Sequence, residues 1–188
     1  MPIPGLVEAP PTTAQICSGN CGCYGSKLDT IAPVLVLAIG NPLMADDGAG
    51  QEILSALQSA APEWGSNVEF LDGGTQGLAL LGMFEERKGV VFLDAVRLGF
   101  QPGSVHVLSR AELLRMGSRS TSAHEGSAPD ILRALELLNE TPSEVTLVGI
   151  EPERIETGIG LTPAVRNSVG LAAGFARAAV NGLLSGES

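Results

Sequence analysis

The chain has 188 residues, a hydrophobic fraction of 44% and a mean hydropathy of +0.24, which suits one globular domain with a single sizeable core. Its charged fraction of 17% is too low for a disordered chain, and its formal net charge of -10 repels phosphate backbones, which disfavours nucleic acid as a partner. No apolar run is long enough to span a bilayer, and MPIPGLVEAPPTTAQ lacks the basic and apolar regions of a secretory signal, so the expected compartment is the cytoplasm.

Residues 1–31 read as an appendage, Pro-rich first and then Cys/Gly/Ser-rich, without apolar periodicity. All three cysteines fall here: Cys17, Cys21 and Cys23. An odd, clustered set argues against a disulfide framework. The C-x-x-x-C-x-C spacing could hold a thiophilic metal with a fourth ligand from elsewhere. The plainer reading, a polar tail with idle thiols, is favoured because closed zinc sites show four ligands.

A single α/β domain is expected over residues 32–188. VLVLAIG (Val34 to Gly40) is a continuous apolar run, as in a strand buried on both faces. A Gly/Pro/Asp loop follows, then a helix with Ile53, Leu54, Leu57 and Ala61 on one stripe, with Asp46 or Asp47 near its start. Val68 to Leu71 is a short strand, LALLGMFEERK after Gly77 a helix, and Val90 to Leu93 a buried strand ending at Asp94. Gly103 to Ser109 alternates as a strand does. Ser127-x-x-Asp130 has the pattern of a capping box before a helix with Ile131, Leu135 and Leu138 in line. Val145 to Ile150 is the last strand. Thr162-Pro163 then opens a helix with Val165, Val169, Ala172, Ala176 and Val180 facing inward.

This alternation predicts a three-layer α/β/α fold around a twisted, mostly parallel sheet of about five strands. Ligands in such folds bind outside the carboxyl ends of the strands. Asp47 follows the first strand and Asp94 ends the third, so topology puts both on that edge. His124, in the long loop before the Ser127 helix, is placed there less directly. A buried carboxylate at Asp94 needs a partner: a metal, a cation, or backbone N–H groups. Asp46 and Asp47 could both cap the helix, or one could cap while the other points into the cleft. Two carboxylates and an imidazole would form a mixed oxygen/nitrogen metal site. His106, mid-strand, is expected on a sheet face. The DGGTQG loop (Asp72 to Gly77) has glycines that let another backbone approach closely, as in a groove for an extended peptide, although a plain turn has the same composition.

Other chemistries fail on the residues. His124-Glu125 begins like H-E-x-x-H, but Ala128 stands at the second histidine. There is no G-x-S-x-G elbow and no G-x-x-x-x-G-K-[ST] loop. GNPLMADDGAG lacks G-x-G-x-x-G, and Asp46 and Asp47 would repel a pyrophosphate.

From Val34 onward the chain resembles the hydrogenase maturation endopeptidases. The matching segments are LAIGNPLMADDGAG, FLDGGTQGLALL, VVFLDAV, PGSVHVL, SAHEGSAPDIL, VTLVGIEPE and GIGLTPAV, in the family's order. The resemblance implies an enzyme, a peptide-bond hydrolase that removes the C-terminal extension of the NiFe-hydrogenase large-subunit precursor after nickel insertion. It implies a nickel-contacting and catalytic trio at Asp47, Asp94 and His124, and substrate choice by Asp72, Gly73, Gly74 and Thr75. The nickel would come with the precursor, and zinc or cadmium could occupy the same site. The family accounts for neither the appendage nor Cys17, Cys21 and Cys23, which stand as a possible second metal site. The rival reading is a non-catalytic nickel-sensing chaperone or docking module for the same precursor; a general metallopeptidase is a third.

Overall fold

The VLVLAI run forms strand β1 (Val34–Ile39), buried at every position because a central parallel strand is covered on both faces. The structure, a computed structural model, describes residues 31–59, 63–116 and 126–186. The cysteine cluster and nearly all of the expected appendage fall outside these residues, as do Ala61 and His124. Strands β2 (Val68–Gly74) and β3 (Gly89–Ala95) pair with β1 in parallel on either side. Strand β5 (Glu144–Ile150) runs parallel to β3, and β4 (Val105–Ser109) closes one edge antiparallel to β5. The sheet order is β2-β1-β3-β5-β4, the expected mostly parallel sheet of five strands.

Alternation along the strands divides the core in two. Val34, Val36 and Ala38 face helices α1 (Ala49–Gln58) and α4 (Pro163–Ser185), whose Ile53, Leu57, Val165, Ala172, Ala176 and Val180 join the same cluster. Leu35, Leu37, Val90 and Phe92 face the opposite layer, built from a 3-10 segment (Gly77–Phe84), α2 (Arg110–Arg115) and α3 (Ala128–Leu138). The layers are therefore α/β/α. Among the described residues no helix is long and apolar enough to cross a membrane.

Several elements differ from expectation. The segment after Gly77 is 3-10 rather than α-helical and stops at Phe84; Gly77 and Glu86 take positive φ at its two ends, and Gly82 weakens its interior. Helix α2 was not anticipated, although Ser109 and Glu112 form a complete capping box at its start. In α3 the inward stripe is Ile131, Leu132 and Leu135, while Leu138 is 51% exposed. Ser127 makes no capping bond to the α3 backbone; its hydroxyl donates to Asp130 Oδ2 at 2.7 Å.

The chain leaves β1 for β2 on one side and then crosses to β3 on the other. That reversal opens a crevice at the carboxyl ends of β1 and β3, where ligands of such sheets bind. Helix α1 starts directly over it. A Cβ on Gly50 would lie 2.5 Å from both the Ile39 and the Leu93 carbonyl oxygens. Backbone on both sides cannot yield, so Gly50→Ala is expected to cost about 1–3 kcal/mol, read as a lowered urea midpoint.

Candidate functional site

Asp46 and Asp47 occupy a 3-10 turn (Ala45–Gly48) between β1 and α1. Ala45 has φ +51, a left-handed conformation costly for a residue with a Cβ. It is held there by its own N–H, which donates to Gly158 O at 2.8 Å. The two neighbouring aspartates then diverge, and neither caps α1, whose N-cap is Gly48.

Asp46 is wholly consumed by structure. Its Oδ2 accepts from Glu153 N at 2.9 Å, Arg154 N at 3.1 Å and the Thr162 hydroxyl at 3.0 Å, and its Oδ1 accepts from Thr162 N at 2.7 Å. The Thr162 hydroxyl is therefore spent on Asp46 and not on capping α4. Asp47 is equally buried and turns the other way, with Oδ2 accepting from Asn41 N at 2.8 Å.

Asp94 lies one residue before the end of β3 and is 3% exposed. Strand parity puts it on the face of Phe92, the side of α3. Burial raises its pKa well above the ordinary aspartate value, and the negative charge of Asp47 raises it further. Against these, the Ala95 N–H donates to Asp94 Oδ1 at 2.8 Å and favours the ionised form. Two buried carboxylates thus repel each other at the switch point of the sheet. Perturbed carboxyls of this kind concentrate at reactive sites.

His124 lies outside the described residues, two positions before Gly126. Gly126 has φ +104, and a Cβ there would lie 2.3 Å from Gly77 Cα. Gly126 therefore packs against Gly77, the first residue after the DGGTQ stretch. Gln76, Gly77, Leu78 and Ala79 on one wall and Gly126 and Asp130 on the other line a cleft of about 510 Å³. Among the described residues no group of three His, Cys, Asp or Glu could hold a metal. Asp47 and Asp94 bring two carboxylates, and any further ligand must come from elsewhere.

The DGGT stretch is the carboxyl end of edge strand β2. Asp72 is exposed; its Oδ1 accepts from Gly74 N at 3.0 Å and from Gln51 Nε2 at 3.1 Å. Gly73 sits at a register shift opposite Ala38 and Ile39, where a Cβ would meet Leu80 Cδ1 at 2.7 Å and Leu37 Cδ1 at 2.8 Å. Gly74 takes φ +50. Thr75 is exposed beyond it.

The sequence reasoning missed Glu151. It is 5% exposed, and its carboxylate accepts from Leu98 N at 2.8 Å and Gly99 N at 3.2 Å, fixing the loop after β3. The signal was present: a charge directly after a buried strand, the same argument that picks out Asp94. His106 is on the sheet as expected, its ring 4.8 Å from that of Phe100 and its Nε2 4.0 Å from Glu151 Oε2.

The hydrogenase maturation protease family model matches residues 52–178. Hydrogenase 2 maturation protease of Escherichia coli is 38% identical over 135 residues, 70% of this chain and 80% of that protein. The hydrogenase expression/formation protein HupD of Rhodobacter capsulatus is 38% identical over 143 residues, 74% of this chain and 67% of its own length. The chain belongs to the hydrogenase maturation protease family. Solved members share its fold. The hydrogenase maturating endopeptidase HybD from E. coli superposes with a TM-score of 0.70 at 35% identity, covering 79% of this chain and 91% of that one. The NiFe hydrogenase maturation protease HybD from Thermococcus kodakarensis gives 0.61 at 29% identity, covering 77% and 97%. As a member of the family the protein is an endopeptidase, a peptide-bond hydrolase.

Proposed function

We propose that this endopeptidase removes the C-terminal extension of a NiFe-hydrogenase large-subunit precursor once nickel is in place. The observation that carries the reading is the Asp47–Asp94 pair, two buried carboxylates at the switch point of the sheet, in a chain of the hydrogenase maturation protease family. A divalent cation delivered by the docking precursor would offset both the repulsion and the desolvation that burden this pair. With His124 as third contact, the donors are oxygen and nitrogen, a set that suits nickel and would also take zinc or cadmium. The nickel is part of the substrate. Unloaded precursor would meet two mutually repelling carboxylates, and only loaded precursor would gain by docking.

The chain's own part in the cleavage is to orient the loaded precursor and to accept a proton from water. Asp47 or Asp94 is the group for the second role, each a buried carboxylate at the switch point of the sheet. The residues proposed to choose the substrate are Asp72, Gly73, Gly74 and Thr75, at the mouth of the crevice. The cytoplasm is the proposed compartment, which the unpaired count of three clustered cysteines supports.

Intact mass of a nickel-loaded large-subunit precursor tests the reading. A discrete loss of a short C-terminal peptide is expected on incubation with this protein, and none when nickel is withheld. His124→Ala is expected to leave the mass unchanged while melting as wild type does. An unchanged mass with wild-type protein in a stable complex would overturn the reading in favour of a docking module.

A further inference from the structure

Gln51 lies in the first turn of α1, half-buried, and belongs to none of the groups above. Its side-chain Nε2 donates twice: to Gly40 O at 3.0 Å and to Asp72 Oδ1 at 3.1 Å. Both neighbours are acceptors, so the carboxamide must present its NH2 to them; the reverse orientation would set oxygen against oxygen. Two further bonds close a ring. Gly40 N donates to Gly74 O at 3.0 Å, and Gly74 N donates to the same Asp72 Oδ1 at 3.0 Å. The ring joins the DGGT loop to the loop after β1. The very next residue, Asn41, donates its N–H to Asp47 Oδ2. Gly40 takes φ +128, and a Cβ there would lie 2.0 Å from Asp47 O, so only glycine lets the Asp47 backbone approach this closely.

We infer that Gln51 is a positioning residue that aims the Asp72 carboxylate and ties the substrate-choosing loop to the loop bearing Asp47. Asp72 is exposed at the end of an edge strand, so without an anchor its side chain would sample several rotamers. Gln51 leaves one carboxylate oxygen, Oδ1, committed to the ring, and the other available to a precursor group. The chemistry that Oδ2 selects is a hydrogen-bond donor or cation on the precursor near its cleavage site. This inference rests on the substrate reading above for the role of Asp72.

The test compares Gln51→Met and Gln51→Glu with wild type in cleavage of the nickel-loaded precursor, alongside hydrogen exchange of the Gly74 amide in the protein alone. Met keeps the length and removes the donor. Glu keeps the shape but turns an oxygen toward two acceptors. The expected order of kcat/KM is wild type, then Met, then Glu, with about a tenfold loss for Met carried by KM. In an Asp72→Asn background the Met substitution is expected to cost much less, since the two act as one unit. The Gly74 amide should exchange faster in both Gln51 variants, while amides of β1 exchange as in wild type. A Glu variant equal to wild type in KM, or additive losses with Asp72→Asn, would overturn the inference. If wild type fails to cleave, the substrate reading falls, and the exchange measurement still decides whether Gln51 anchors the loop: unchanged Gly74 exchange would end it.

Discussion

Asp94→Asn is expected to abolish precursor cleavage and to raise the melting temperature at neutral pH. Both effects come from one carboxylate. It is 3% exposed, its pKa is raised first by burial and then by Asp47, and the Ala95 N–H offsets only part of this. The folded state therefore binds a proton at Asp94 more tightly than the unfolded chain does. The favourable contribution is complete below the unfolded aspartate value near ~4, and it is lost as pH rises through the raised folded value. At neutral pH the fold bears the cost of placing this carboxyl in its buried site, and asparagine removes that cost without changing shape. Asparagine Oδ1 can still accept from Ala95 N. The gain should be a few degrees, as when a strained reactive residue is replaced. The activity loss should reach at least about 10²–10⁴-fold, the range for removing a positioned acid–base group. Melting both proteins from pH 4 to pH 8 checks the sign: the advantage of Asp94→Asn must grow with pH. An advantage constant over that range, or a lower midpoint at neutral pH, would show that the carboxylate is not held against its burial.

Asp94 was legible in the sequence because four apolar residues before a charge admit few readings other than a buried strand ending in a carboxylate. The parallel sheet was legible for the same reason: Val34 to Ile39 is apolar on both parities, which only a strand covered on both faces tolerates. What escaped the sequence depended on partners far along the chain. Ser127-x-x-Asp130 and Thr162-Pro163 have the residue types of helix caps, yet both hydroxyls are spent on carboxylates, Ser127 on Asp130 and Thr162 on Asp46. No local pattern announces that Thr162 bonds a residue 116 positions earlier. Nor does Ala45 announce a left-handed backbone, which is imposed by its bond to Gly158. The choice between Asp46 and Asp47, open on residue type alone, is decided by that twist.

The adjacent aspartates should therefore fail in opposite ways. Asp46→Ala removes the only acceptor that the side-chain bonds give to three backbone N–H groups and one hydroxyl, across Glu153, Arg154 and Thr162. Leaving buried donors without their charged acceptor is expected to cost about 3–5 kcal/mol. The loss also leaves the 151–162 segment tied to the turn that carries Asp47 by backbone bonds such as Ala45 N to Gly158 O, so cleavage should fall because the fold loosens. Asp46→Asn keeps one side-chain oxygen and should lose less than the alanine variant. Asp47→Asn is expected to stay within about 1 kcal/mol of wild type, since asparagine retains an acceptor for Asn41 N and relieves the repulsion with Asp94. Its cleavage should nevertheless disappear. Urea midpoints and precursor mass for the three variants separate the roles. If Asp47→Asn unfolds as early as Asp46→Ala, the pair is structural throughout, and the carboxylate that works with Asp94 must be sought elsewhere. If Asp46→Ala folds as stably as wild type yet cannot cleave, the assignments of the two neighbours are reversed, and the four bonds to Asp46 do not hold the turn.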